Sequence, residues 1–236
     1  MSHKPNTPLD RHTLWQKYSH WLYTLVLPVY LILFFWQESV LDGSTPYLVS
    51  YLPMDDAIPF CEWFYIAYVL WYPFMGLTGL YLALTDPPGY RRYMTYIGVS
   101  FLTALLLFAL FPNGQDLRPD LTTLGRENIF TRAIAALYEA DTNTNVCPSL
   151  HVVGSMAAVF GVCHNTRLRR TIWLPIFSVI LALFIIASTV FIKQHSILDA
   201  FVGVPYGMLT YVAVYHLPSL WRNRRRKAES ITAQNG

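Results

Sequence analysis

TNVCPSLHVVGS, residues 144–155, carries a serine and a histidine out of a polar stretch and straight into an apolar run at 150–163. Five other runs resemble that one, at 21–36, 63–84, 93–111, 171–192 and 197–217. A helix needs ~20 residues to cross a hydrocarbon core, with a range of roughly 17 to 25, so the run at 150–163 is short unless it starts within its polar flank. Counted with the rest, it gives six spans and an all-α, polytopic membrane protein: a six-transmembrane-helix bundle.

Composition agrees. Of 236 residues, 54% are hydrophobic, 16% aromatic and only 13% charged, which is more apolar than ordinary soluble domains. Asp86-Pro87-Pro88-Gly89, Pro112-Asn113-Gly114 and Asp42-Gly43 punctuate the runs and close the helices before them. No internal repeat, low-complexity tract or linker divides the chain, so it reads as one membrane domain over 1–236: a cytoplasmic segment at 1–20, the bundle at 21–217 and a basic tail at 218–236. The first run reads as a retained anchor, since a long polar segment precedes it and no small-residue cleavage site follows. Cys61, Cys147 and Cys163 are too few and too scattered for a disulfide framework and read as free thiols.

Basic residues set the orientation. Thirteen fall on one side (Lys4, Arg11, Lys17, Arg91, Arg92, Arg167, Arg169, Arg170, Arg222, Arg224, Arg225, Arg226 and Lys227) and four on the other (Arg118, Arg126, Arg132 and Lys193). Both termini are therefore expected in the cytoplasm, with the loops at 38–62, 112–149 and 193–196 on the extracytoplasmic face. The membrane is a plasma or inner membrane, or a lumen-facing endomembrane. The RNRRRK tail reads as an anchor at anionic lipid headgroups, and no nucleic-acid partner is expected.

Threaded this way, three polar clusters meet on one face: FPNGQDLRPD (111–120), NVCPSLHV (145–152) and STVFIKQHSILDAFVG (188–203). Pro148 at the first helical position would leave the N–H groups of Ser149, Leu150 and His151 free at a helix N-terminus, a ready site for an anion. Ser149 adds a hydroxyl and His151 a group that gives or takes a proton near neutrality. The competing reading is a capping motif with a histidine at headgroup level. His195 and Asp199 stand four apart and would share a helical face, the carboxylate fixing which ring nitrogen meets the substrate. A carboxylate within a span is expensive and generally marks function, although a structural His-Asp pair packing the last helix is the alternative.

These residues resemble the type 2 phosphatidic acid phosphatase superfamily of membrane lipid phosphatases and phosphotransferases. Its signature is Lys and six residues before Arg-Pro, then Pro-Ser-Gly-His, then Ser-Arg with five residues before His and three more before Asp. This chain has Arg118-Pro119, Pro148-Ser149-Leu150-His151, and Ser188, His195 and Asp199 at matching intervals. Phe111 stands where the lysine would fall, Leu150 replaces the glycine and Thr189 the arginine. The Pro-Ser-Leu-His form is similar to the inositol phosphorylceramide synthase branch. Lys193, Asn113 and Gln115 are the candidates to replace the missing cations.

The resemblance implies a phosphoesterase that cleaves a lipid phosphate monoester or diphosphate through a phosphohistidine. His195 would be the nucleophile, Asp199 its orienter and His151 the acid and base, with Arg118, Ser149 and Lys193 on the phosphate oxygens. The substrate would be a phospholipid or isoprenoid phosphate, and no cofactor or metal is implied. Two other functions stay open: a headgroup transferase with a ceramide or diacylglycerol acceptor, and a non-catalytic lipid binder or carrier. Residues 126–139 would form a short interfacial helix in the outer loop, with Ile129, Ala133, Ala136 and Leu137 on one stripe, either covering the site or simply packed on the bundle.

Overall fold

A computed structural model describes residues 15, 17–40, 46–219 and 221. Lys4, Arg11, Asp42-Gly43 and the basic tail, on which part of the topology reading rests, lie outside the described residues. Each apolar run is a helix: α1 (Ser19–Val40), α2 (Glu62–Thr85), α3 (Pro87–Leu110), α5 (Leu150–His164), α6 (Trp173–Phe191) and α7 (Ile197–Ser219). Between α3 and α5 lies α4 (Ile129–Ala140). Two-residue strands, β1 (Leu48–Val49) and β2 (Asn113–Gly114), pair in parallel. The chain is an all-α polytopic membrane protein.

Five of these helices are long and apolar enough to cross a membrane; α5 is the exception. Its 15 residues rise about 22 Å, against a hydrocarbon core of ~30 Å. Six apolar helices are present, as expected, five of them long enough to span by length and composition and α5 short, as its run suggested. The physical reason lies in the environment of α5, which packs against α2, α3, α6 and α7. Val152, Val153, Ala157 and Ala158 are buried. A helix surrounded by protein need not match the bilayer's thickness.

Small residues permit that central position. A Cβ on Gly154 would fall 2.8 Å from the Trp71 ring, and one on Gly203 would sit 3.1 Å from Val152. The turn between α2 and α3 follows the Asp-Pro-Pro-Gly signal: Asp86 caps α3 by accepting from the Gly89 N–H, and Pro87 opens the helix. At that end His20 bonds Ala83 O, Arg91 bonds Ser19 and Asn165 bonds Asp86. Pro205 lies inside α7, which continues through it to a π-turn at Val212–His216.

Helix α4 opens on a capping box formed by Asn128 and Thr131. Its buried side differs from the expected stripe. Ile134 and Thr131 are buried, and Leu137 and Tyr138 pack with Tyr68 and Ile192, whereas Ile129 is 71% exposed. The packed reading of this helix holds. Phe130 lies 4.9 Å from Trp63, so α4 is fixed on the bundle beside the site.

Candidate active site

The three polar clusters come together at one end of the bundle, and the first of them serves as the clasp. Asn113 Oδ1 accepts from the N–H groups of Val146 and Cys147, and its Nδ2 donates to Cys147 O, so it shapes the loop entering α5. Gln115 Nε2 donates to Lys193 O in the loop between α6 and α7. Those loops contain the only two non-glycine residues with positive φ among the described residues, Asn145 (φ 56) and Lys193 (φ 54). The left-handed region costs an L-residue of order 1 kcal/mol, and the amides of Asn113 and Gln115 hold the backbone in it. Both amides, named as candidates to stand in for the missing lysine, are engaged with backbone here.

His195 does not share a helical face with Asp199, because α7 begins only at Ile197 with Ser196 as its cap. The two meet through the cap itself: Asp199 at the third helical position accepts from the Ser196 N–H at 3.0 Å and from His195 Nδ1 at 3.1 Å. A carboxylate in a first helical turn is also favoured by the helix dipole. Its other oxygen accepts the hydroxyl of Ser50, a residue sequence reasoning passed over. Asp55 is fully buried and accepts from Ser196 Oγ at 2.6 Å and from the Ile197 N–H at 2.8 Å. Neither contact has a local signal, since each spans more than 140 positions.

Pro148 precedes the helix instead of opening it: α5 starts at Leu150, with Ser149 at the N-cap. The Ser149 N–H donates to Asp199 O at 3.3 Å, joining α5 to α7 directly. The N–H groups left without helical partners are therefore those of Leu150, His151 and Val152. Ser149 Oγ is buried and has no hydrogen-bond partner. The His151 ring packs against Tyr68 and Trp71, at centroid distances of 4.6 and 4.7 Å. Its Nδ1 faces His195 Nε2 at 3.3 Å, and its Nε2 is buried without a partner.

In front of the two histidines lies a cavity of about 330 Å³, lined by Tyr30, Tyr68, Trp71, Tyr72, Asp141, Asn145 and Gln194 among others. Among the described residues no lysine or arginine lines it. Arg118 is engaged elsewhere: it donates to Tyr138 O, Asp141 O, Thr142 O and Gln194 Oε1 and lies over the Tyr138 ring. Lys193 is buried with its Nζ on Asp55 O. The charged groups of both residues, expected on the phosphate oxygens, rest here on carbonyl oxygens and, for Arg118, on Gln194 as well. Phe111 is exposed, and Thr189 is buried with its hydroxyl on Ile186 O. Gln194 links Arg118 to the cavity by donating to Asp141 Oδ2 at 2.9 Å. Burial pushes the Asp141 carboxyl above its ordinary value, and His195 and Arg118 pull it partly back.

No curated protein and no solved structure matches the chain. The family model of the PAP2 superfamily matches residues 92–223, which contain both histidines, Asp199, Ser149 and Arg118. That match spans more than half of the sequence and fits the helical membrane architecture around it, so the chain belongs to the PAP2 superfamily, whose members are phosphatases and related phosphotransferases.

Proposed function

We propose that the chain is a membrane phosphoesterase that works through a phosphohistidine on the extracytoplasmic face. The observation that carries this reading is the alignment of Asp199, His195 and His151. One ring nitrogen of His195 is fixed by a buried carboxylate, and the other faces a second histidine across 3.3 Å at the cavity. With Nδ1–H given to Asp199, Nε2 is the unprotonated ring nitrogen, and substrate would displace its contact with His151 to meet it. Nε2 attacks phosphorus, and the departing oxygen takes a proton from His151. His151 then removes a proton from the incoming water as the N–P bond breaks.

Ser149 Oγ and the N–H groups of Leu150, His151 and Val152 hold the non-bridging oxygens as charge builds on them. Arg118 and Lys193 act as positioning residues in this reading. Arg118 fixes Gln194 and the 138–142 backbone beside the cavity, and Lys193 fixes Asp55, which caps the helix that carries Asp199.

A second reading, headgroup transfer to a lipid acceptor, is favoured by the wall that α1 gives the cavity. Leu31 and Phe35 line it and are 47% and 62% exposed on the apolar flank of the bundle, a path by which a lipid hydroxyl can enter from the side. Labelled phospholipid supplied with and without ceramide or diacylglycerol tests the two. Label released to water supports the phosphatase, and label moved to the added lipid supports the transferase. Label that moves to neither, with substrate bound, would leave a lipid binder or carrier.

A further inference from the structure

Away from the two histidines the cavity is lined by acceptors and aromatic side chains and, among the described residues, by no lysine or arginine. Asp141 contributes a buried carboxylate. Asn145, 9% exposed, contributes an Oδ1 with no hydrogen-bond partner, while its Nδ2 is used on Glu38. The second oxygen of Glu38 accepts from Thr142. Tyr30, Trp71 and Tyr72 add aromatic side chains to the lining. A phosphate monoester, with ~1.5 to 2 negative charges at neutral pH, would bring that charge next to Asp141, with Glu38 behind Asn145 and Thr142. A cation would answer every one of these groups: charge for Asp141 and Glu38, an N–H for Asn145 Oδ1, and attraction to the rings.

We propose that the substrate is a phosphodiester whose headgroup carries a cationic amine, seated against Asp141, Asn145 and the rings of Tyr30, Trp71 and Tyr72 with its phosphorus at His195 Nε2. This rests on the reading of His195 as the nucleophile and names the substrate class for it. The bond from His195 Nε2 to phosphorus forms as the bond from phosphorus to the lipid-backbone oxygen breaks, and that oxygen takes the His151 proton and leaves as an alcohol. The phosphorylated headgroup stays on His195, its cation still seated. A hydroxyl of water or of a lipid acceptor then gives its proton to His151 while its oxygen displaces His195.

The test uses the full chain in vesicles, with phosphatidylethanolamine, phosphatidylcholine, phosphatidylinositol and phosphatidic acid of matched acyl chains. The expected result is that the two cationic headgroups are turned over at least about tenfold faster than the other two, in line with one cation–π or charge-assisted contact. A primary ammonium outrunning the quaternary one assigns the N–H contact to Asn145. Asp141→Asn should lower the ratio of cationic to polyol turnover by about tenfold. Tyr72→Leu, at a 57% exposed position that tolerates change, should lower it several-fold, and Tyr72→Phe should restore it. Turnover of phosphatidic acid or phosphatidylinositol that equals or exceeds the cationic lipids, or a ratio unmoved by both variants, overturns the proposal. A separate readout, calorimetric binding of short-chain forms of the same lipids to His195→Ala, keeps the two ideas apart. Selective binding of cationic headgroups without wild-type turnover sinks the nucleophile and keeps the seat. Phosphatidic acid turned over through a phosphohistidine does the reverse.

Discussion

Asp199 carries three duties at once: it orients His195, caps α7 and receives Ser50. Asp199→Asn should keep substrate binding and lose most of the turnover, since an amide leaves the wrong tautomer of His195, a loss on the order of 10⁴-fold when a triad carboxylate is neutralised. Ser50→Ala removes only one neutral donor to that carboxylate and should cost about tenfold, measured as kcat on the same substrate. Cys147 offers a check that involves no turnover. Burial, with Asp199 beside it, pushes its thiol up to about 12. At pH 7.5 roughly one thiol in 10⁴ to 10⁵ is then thiolate, so alkylation of the folded protein should leave Cys147 unmodified by mass spectrometry, and unfolding should release it. Modification of Cys147 in the folded protein at the rate of a free thiol would mean that the loop before α5 is more open than described.

The helices were legible in the sequence because two signals agreed, a run of apolar residues and a Pro, Gly or Asp break at its end. The starts of α5 and α7 were misplaced by one or two residues at the very motifs that matter, since a cap is decided by contacts the local pattern does not contain. Ser149 N–H on Asp199 O and Asp55 under Ser196 join loops some 50 and 140 positions apart. Spacing sufficed to bring His151, His195 and Asp199 to attention, while Ser50, Asp55, Asp141 and Asn145 entered only through tertiary contact. The clasp is an element-scale feature that mutation can probe. Asn113→Ala deletes bonds to Val146, Cys147 and Phe111 and should lower the thermal midpoint together with turnover. Gly154→Ala drives a methyl to 2.8 Å from the Trp71 ring, and overpacking of this kind costs about 1 to 3 kcal/mol. An unchanged melting curve for both variants would contradict the packing described around α5.

Across the whole molecule, loops at 46–61, 111–149 and 192–196 gather at one end of the bundle, and the turns carrying Arg91, Arg92, Arg167, Arg169 and Arg170 lie at the other. From the bias of basic residues we propose that the second end faces the cytoplasm. Cysteine introduced at Thr123, exposed at the site end, should react with an impermeant thiol reagent in intact cells, whereas cysteine at Arg170 should react only after lysis; the reverse pattern would invert the topology. The claim on which the functional account rests is that one histidine carries the phosphoryl group and the other moves protons. Rapid quenching of enzyme with ³²P-labelled substrate tests it directly. Wild type should yield an acid-labile, base-stable phosphoenzyme that maps to His195. His195→Ala should yield none, and His151→Ala should accumulate it from a substrate with a good leaving group, because breakdown lacks its base. Label trapped in His195→Ala and absent from His151→Ala would contradict the assignment.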